Sequence, residues 1–535
     1  MTATRRRVLA GGGAAIGLAA GPAILRAQTP PARARTIRAV MHADLRVLDP
    51  IWTTANITAY HGAMIYDTLF AMDADFNPQP QMVGKWGVSD DKLSYTFELR
   101  DGLKFSDGSA VTASDCIASL RRWAARDGAG QHLFRRVKDT PTADDRTFKI
   151  VLSEPYGLLI GALAKLSTSN CWMMRKKEAE SDPNQQIRET VGSGPFLYNK
   201  DETRPGNRYV YDRNPNYVPR AEPASGLAGG KVVKIDRAIF ENIGDEQTSL
   251  AALQNGEIDF FEVPPQDLVP ELEKDRNLVV RVLNKTGHIG FMRMNFLHPP
   301  FDNVEARRGM QHLVNQADVM RAIFGESKYW QKCGAYFACG TPMENDANTE
   351  WFKAGPNLAK AKELFKKSGY DGRPVVILQA TDHYFANPAG LFMAQWLREA
   401  GVIVDLAASD WGAVLTRRAV KKPPAEGGWN IFSTTATGEA FSNPINFSGH
   451  AANGDKAWFG WPTNDRQEKL RDEWAAAESL DERKRLAREL QANAWDYVHH
   501  LYLGQFFRGS AWRKTVTGVI GMPEIVPFWN MEKAG

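Results

Sequence analysis

Between residues 358 and 434 the chain alternates between two periodicities. Apolar residues recur at helical spacing over 358–368, 388–400 and 411–419. Between and after these lie short apolar runs at 375–380, 402–407 and 429–434 that read as strands. Parallel strands need a crossover, and a helix supplies it, so this order predicts parallel sheet with connecting helices. The first helix has Leu358, Ala361, Leu364 and Phe365 on one face and stops at Gly369, a residue suited to the left-handed turn that ends helices.

The earlier half is richer in strands and long loops. Strand-like runs are expected at 36–40, 93–100, 147–152, 237–240, 279–283 and 289–294. Thr112 with Asp115, and Asp302 with Glu305, have the spacing of a capping box. The second box would open a helix whose face carries Met310, Leu313, Val314, Ala317, Met320 and Phe324. Residues 201–231 hold four prolines and four glycines and read as an exposed excursion. A charged amphipathic helix is expected over 465–499, followed by a return strand in "HHLYLGQFF". The 535 residues are too many for one core and predict several domains.

Charge excludes some partners. The formal net charge is +4, but Arg5, Arg6, Arg7 and Arg26 fall in the first 27 residues, which contain no acid. The remaining 62 basic residues match the 62 acidic ones. A neutral body gives no reason to expect nucleic acid or an anionic membrane as partner. The first 27 residues themselves combine an arginine cluster, a Gly/Ala-rich apolar stretch and a small residue at Ala27. That layout resembles a twin-arginine export signal, with cleavage expected after Ala27, and Ala32 or Ala34 as alternatives. No Cys precedes Cys116, so no lipid anchor is expected, and the mature protein is expected in a periplasm.

Of the four cysteines, Cys333 and Cys339 flank "GAYFA" and are either a small disulfide-closed loop or two free thiols. Cys116 and Cys171 read as buried thiols. No metal, cofactor or catalytic constellation is expected. There is no HExxH, GxSxG, P-loop or GxGxxG. "GSGP" at Gly192–Pro195 reads as a turn. His499 and His500, about 100° apart on a helix, do not suit one ion and read as capping or surface residues.

Eight stretches occur in a characteristic order: "MIYDTLF", "GVSDDKLSYTFELRDGLKFSDGSAVTASDC", "GSGPF", "AALQNGEIDF", "MNFLHPPFDNVEARRG", "AKELFKKSGYDG", "REAGVIVDLAASDWGAVL" and "PFWNMEK". The chain resembles the extracytoplasmic solute-binding proteins of the peptide/nickel ABC-transporter class, family 5. The resemblance implies an α/β, two-lobed periplasmic binding protein (type II, cluster C-like) with an extra subdomain at about 70–190 in the first lobe. Lobe I would comprise 36–289 and 504–535, and lobe II 290–503, with a hinge near Gly287–Gly290 and Leu503–Phe507. The implied activity is capture of a small polar solute by lobe closure and delivery to membrane permease subunits, as a monomer and without bond chemistry. A sensory or chaperone-like binding protein and a secreted hydrolase are the alternatives.

The resemblance also places solute contacts. They fall on Trp52, Thr53 and Thr54 after "LDP", on His383 and Tyr384 in "TDHYFANP", and on Thr435, Thr437, Glu439, Ala440 and Phe441 in "STTATGEAFSNP". Trp and Tyr offer a stacking face with a polar handle. Peptide-binding members carry an aspartate that pairs with the peptide amine, and that position falls on Ala440 here. Dipeptide members also hold the carboxylate with an arginine, at a position matching His383 or Tyr384. Both anchors are therefore missing, and Glu439 is the nearest acid. The solute is either a peptide held differently or a non-peptide compound such as an amino-acid derivative, sugar or metal chelate.

Overall fold

Two mixed sheets organise the chain, seen in a computed structural model that describes residues 35–166, 169–325 and 327–534. The export signal read over 1–27 lies outside the described residues. The first sheet has seven strands. At its centre Thr36–Val40 runs parallel to Arg237–Glu241 on one side and Phe260–Phe261 on the other. Arg208–Arg213 and Phe196–Tyr198 extend one edge, and Gly509–Arg513 and Leu278–Val282 the other. The second sheet has six strands. Val375–Ala380 is parallel to Val404–Ser409 and Ile431–Thr437, while His288–Met294 and Leu501–Phe506 add antiparallel neighbours. The fold is thus α/β and two-lobed, one lobe on each sheet.

A third sheet of four strands, Val83–Val88, Ser94–Leu99, Thr147–Leu152 and Val137–Asp139, packs with helix Ala113–Arg126 inside the span expected for the subdomain. That helix starts as the sequence predicts. Thr112 accepts from the Asp115 amide, and Asp115 reaches back to the Thr112 amide at 2.8 Å. The second expected box differs. Asn303, not Asp302, caps a short helix at Val304–Gln311, and Asn315 caps a separate one at Gln316–Phe324. Asn side chains accept from amides two or three residues on, so each ended the preceding segment and began its own helix. The long helix expected over 465–499 is likewise split, into Asp465–Ala476 and Leu480–Tyr497, with Ser479 as the second cap. Residues 201–231 are not wholly an excursion, since Arg208–Arg213 joins the first sheet and Lys231 is buried.

The chain passes between the two sheets twice, at 283–287 and 507–508. The boundary expected at 503/504 cuts through strand Leu501–Phe506, which stays in the second sheet to its end. His288 pairs with both Thr437 and Phe506 at one edge of the second sheet, and Gly509 pairs with Val282 at one edge of the first. Gly287 closes the first passage in a left-handed conformation. A Cβ there would sit 2.6 Å from the Phe506 carbonyl oxygen, so no other residue fits without movement.

Cys333 and Cys339 form a disulfide in the second lobe, which closes the open alternative. Cys116 and Cys171 are free and buried. No described helix is long and apolar enough to cross a membrane.

Candidate functional site

The parallel strands of both sheets end on the same gap. Val40 and Phe261 lead into His42 and Glu262, and Thr437 leads into Glu439, while both interlobe passages emerge at this edge. In α/β sheets the carboxyl ends of strands are where ligands bind, because loops there are free to vary. The lobes also touch around the gap. Lys328 and Tyr329 of the second lobe bond Glu273 of the first at 2.8 and 2.7 Å, Lys92 meets Glu478 at 2.6 Å, and His132 meets Asp472 at 2.7 Å.

Two carboxyl groups come to this region from opposite lobes, Glu439 and Glu524, and the charge of the first acts on the second. Glu439 is 6% exposed; its Oε1 accepts from Asn446 Nδ2 at 3.0 Å, and its Oε2 has no partner among the described residues. Glu524 arrives from the C-terminal segment in a left-handed conformation after Pro523. It accepts from the Thr437 hydroxyl and, at 2.8 Å, from Asn56 Nδ2. Burial pushes Glu439 up to about 7, opposed by Lys165 and the Asn446 bond. Burial likewise pushes Glu524 up to about 7; the Thr437 bond opposes the rise and the Glu439 charge adds to it. The charge of Lys165, itself paired with Asp127, acts on both.

A second polar group lines the first lobe. His42 places its backbone amide 2.9 Å and its Nδ1 2.8 Å from Glu262 Oε2, and the Tyr60 hydroxyl bonds the same carboxylate. Burial alone would raise Glu262, but His42 and these hydrogen bonds hold it below its ordinary value. This carboxylate is satisfied, unlike Glu439.

The loop at 381–385 crosses the sheet edge above His288–Met294. Gly290 allows it: a Cβ there would lie 2.0 Å from the Phe385 ring. His383 Nδ1 accepts from the Phe385 and Ala386 amides at 3.2 and 3.1 Å, so the imidazole caps helix Ala386–Glu399. Its ring packs on Trp411 at 4.5 Å, and burial with the Arg508 charge holds it down to about 4. Tyr384 instead stays 45% exposed, with the Arg508 guanidinium 5.1 Å above its ring.

The expected contacts therefore separate. Thr437 and Glu439 meet the first lobe's Glu524, while Thr435 lies half-buried on the same strand. Ala440 is buried, its amide turned back to Thr437 Oγ1 at 3.3 Å. Phe441 corrects the expectation. It is fully buried among Phe291, Phe447 and Tyr502, so it builds the second lobe's core and not the cleft wall. His383 is occupied by its capping bonds. Trp52 is tied to the first lobe, donating Nε1 to the Asn184 carbonyl at 2.9 Å, while the Thr53 carbonyl accepts from Ser169 and Thr54 stands exposed. Sequence reasoning missed Asn56, Lys165, Glu262, Arg508 and Glu524. Only the juxtaposition of distant segments marks them. His499 and His500 are also corrected, being buried and not on the surface: His499 donates or accepts at Tyr336 OH, 2.7 Å away. A surface cavity of about 370 Å³ between Pro299 and Arg373 lies at the opposite edge of the second sheet, away from this cleft.

Residues 77–457 match the model of the bacterial extracellular solute-binding proteins, family 5 Middle. The chain is 48% identical to the probable peptide ABC transporter periplasmic-binding protein y4tO of Sinorhizobium fredii (strain NBRC 101917 / NGR234), over all of both chains. It is 27% identical to the glutathione-binding protein GsiB of Escherichia coli O6:K15:H31 (strain 536 / UPEC), over 76% of each. Among solved structures it resembles the binding protein AgaA from A. tumefacien R10 in complex with agropinic acid, with TM-score 0.78 and 21% identity over 94% of this chain and 99% of that one. DppA from Helicobacter pylori in complex with peptide STSA gives 0.77 and 20% over the same shares. At these identities the structures speak for the fold alone. The chain belongs to the family 5 bacterial extracellular solute-binding proteins.

Proposed function

We propose that this protein is the periplasmic substrate-binding component of an ABC importer of the peptide/nickel class, and that it captures an amine-bearing polar solute between its lobes. The 48% identical relative, a probable peptide ABC transporter periplasmic-binding protein, supports the transport role. The single observation that carries the choice of solute is Glu439 Oε2, a buried carboxylate oxygen without a partner among the described residues, two residues from the Thr437 hydroxyl that bonds the first lobe's Glu524. An unmet buried acceptor costs about 1–3 kcal/mol. A cationic ligand group supplies the missing donors and the charge that lets both carboxyls ionise.

In this reading lobe I comprises 36–282 with the segment from 509 onward, lobe II runs from 288 to 506, and 283–287 with 507–508 form the hinge. Solute shifts the population toward the closed form by as much as it binds that form better. Thr437, Glu439 and Tyr384 line the second-lobe wall; Asn56, Glu524 and the Glu262 group line the first. The protein acts as an exported monomer that hands solute to membrane permease subunits.

A non-peptide amine is the second reading. Ala440 stands where peptide receptors of this class carry aspartate, and the solved relative AgaA was seen with agropinic acid. Native mass spectrometry of the protein purified from a periplasm, followed by a thermal-shift screen against peptides, amino-acid derivatives, sugars and metal chelates, decides between them. Retention of an amine-bearing compound supports the proposal. Selective stabilisation by neutral sugars or anions contradicts it.

A further inference from the structure

We infer that Arg508, carried on the second interlobe passage, is an anion subsite that takes a carboxylate of the same solute whose amine meets Glu439. The inference rests on the reading of the interlobe gap as the solute site. Arg508 makes no ion pair or hydrogen bond among the described residues, and its Nε is secluded from solvent without a partner. Its guanidinium is nonetheless held in place, stacked 5.1 Å above the Tyr384 ring. A fixed guanidinium with its forked donors unspent is suited to bidentate capture of a carboxylate.

The surroundings favour an anion. His288, stacked on Phe506 at 5.3 Å, and His383, packed on Trp411, both feel the Arg508 charge. His288 also presents a buried Nδ1 with no partner among the described residues. The acid acting on His383 is Asp382, and its Oδ1 already accepts from the Trp411 amide at 2.7 Å. So a cation and an unspent imidazole nitrogen lie at this end of the second sheet, with no carboxylate paired to the cation among the described residues.

The spacing suits a short zwitterion. Thr437 and Phe506 flank His288 in the sheet, and Glu439 and Arg508 each lie two residues beyond them. Adjacent strands are about 4.8 Å apart, so Thr437 and Phe506, from which these two residues extend, stand roughly 10 Å apart. Side chains reaching inward from stems at that distance bracket a solute whose amine and carboxylate are separated by a few bonds. Because Arg508 belongs to the hinge, holding a carboxylate there also fixes the angle between the lobes.

Calorimetry of the mature protein tests this with alanyl-phenylalanine, its C-terminal amide and its N-acetyl derivative, using wild type, Arg508→Gln and Arg508→Lys. The free acid is expected to bind wild type at least about tenfold tighter than the amide, because a charge-assisted bond is lost. That gap should close in Arg508→Gln and reopen in part in Arg508→Lys. Equal affinity of acid and amide in wild type, or a gap that survives Arg508→Gln, overturns the subsite. Failure to distinguish the free amine from the N-acetyl compound overturns the Glu439 reading instead, and a panel that does not bind at all overturns both.

Discussion

Thr437, the last residue of a second-lobe strand, donates its hydroxyl hydrogen bond to Glu524, which the C-terminal segment holds against the first lobe. Phe528, four residues on, packs on Phe240 and Phe260 of the first sheet. One hydrogen bond thus ties the lobes together beside Glu439. Thr437→Val should leave each lobe intact and weaken closure. Small-angle scattering with saturating solute is expected to show a larger fraction of open molecules than wild type, and an unchanged radius of gyration would remove this bond from the closure mechanism.

Glu439 binds a proton more readily in the folded protein than its ordinary value of 4.5 allows, since burial pushes it up to about 7. Its contribution to the stability of the ligand-free form is therefore fullest below pH 4.5 and is lost as pH rises through about 7. Glu439→Gln should stabilise the ligand-free protein relative to wild type, by on the order of 1–2 kcal/mol at pH 8 and by little at pH 5. Urea unfolding at the two pH values checks the difference between the two proteins.

Three histidines in the second lobe's core push the other way. Burial holds His450, His499 and His500 well below the ordinary value, with Arg293 near all three. Their stability contribution is present above about pH 6.5 and is lost as pH falls, by up to about 1.4 kcal/mol per pH unit for each group kept neutral. His450→Phe should flatten the acid side of the stability profile, because both His450 ring nitrogens are buried without a hydrogen-bond partner among the described residues. Thermal midpoints from pH 4.5 to 7.5 give the test; a parallel profile for the variant rules the residue out.

The Cys333–Cys339 bridge closes a short loop that carries Tyr336 and Phe337 into the core, and the Ala338 amide bonds the Phe441 carbonyl at 3.2 Å. Loop-closure entropy puts its worth at about 2 kcal/mol. Replacing both cysteines with alanine should lower the unfolding free energy by that order. It should also loosen the segment behind Glu439, read as faster amide exchange at 438–446.

The scaffold was far more legible in the sequence than the cleft. The Thr112–Asp115 box and the strands at 36–40, 147–152 and 375–380 depend on local pattern, and they appear at those positions. The breaks at His312–Asn315 and Ala477–Ser479 were missed because apolar spacing continues across them, while the caps that interrupt it are single residues. Phe441 was misplaced for a related reason. A polar loop suggested a wall, but the aromatic in it is drawn into the core by Phe291 and Phe447. Glu439 could be singled out as the only acid in its loop. Its counterpart Glu524 lies 85 residues later in a Pro-flanked tail, and Arg508 in a two-residue passage. Nothing local marks either one; only the meeting of both sheets at one edge does.

Amine recognition by Glu439 is the centre of the account, and proton linkage tests it most directly. Titration of the amine-bearing solute retained by the protein should be measured by calorimetry from pH 5.5 to 8.5, in buffers of different ionisation enthalpy, for wild type and Glu439→Gln. Wild type is predicted to bind more tightly as pH rises through about 7 and to release protons on binding, as carboxyls raised by burial give up their proton to a cation. Glu439→Gln is predicted to bind at least about tenfold more weakly, with most of the linkage gone. Affinity that is independent of pH and equal in the two proteins would contradict the account.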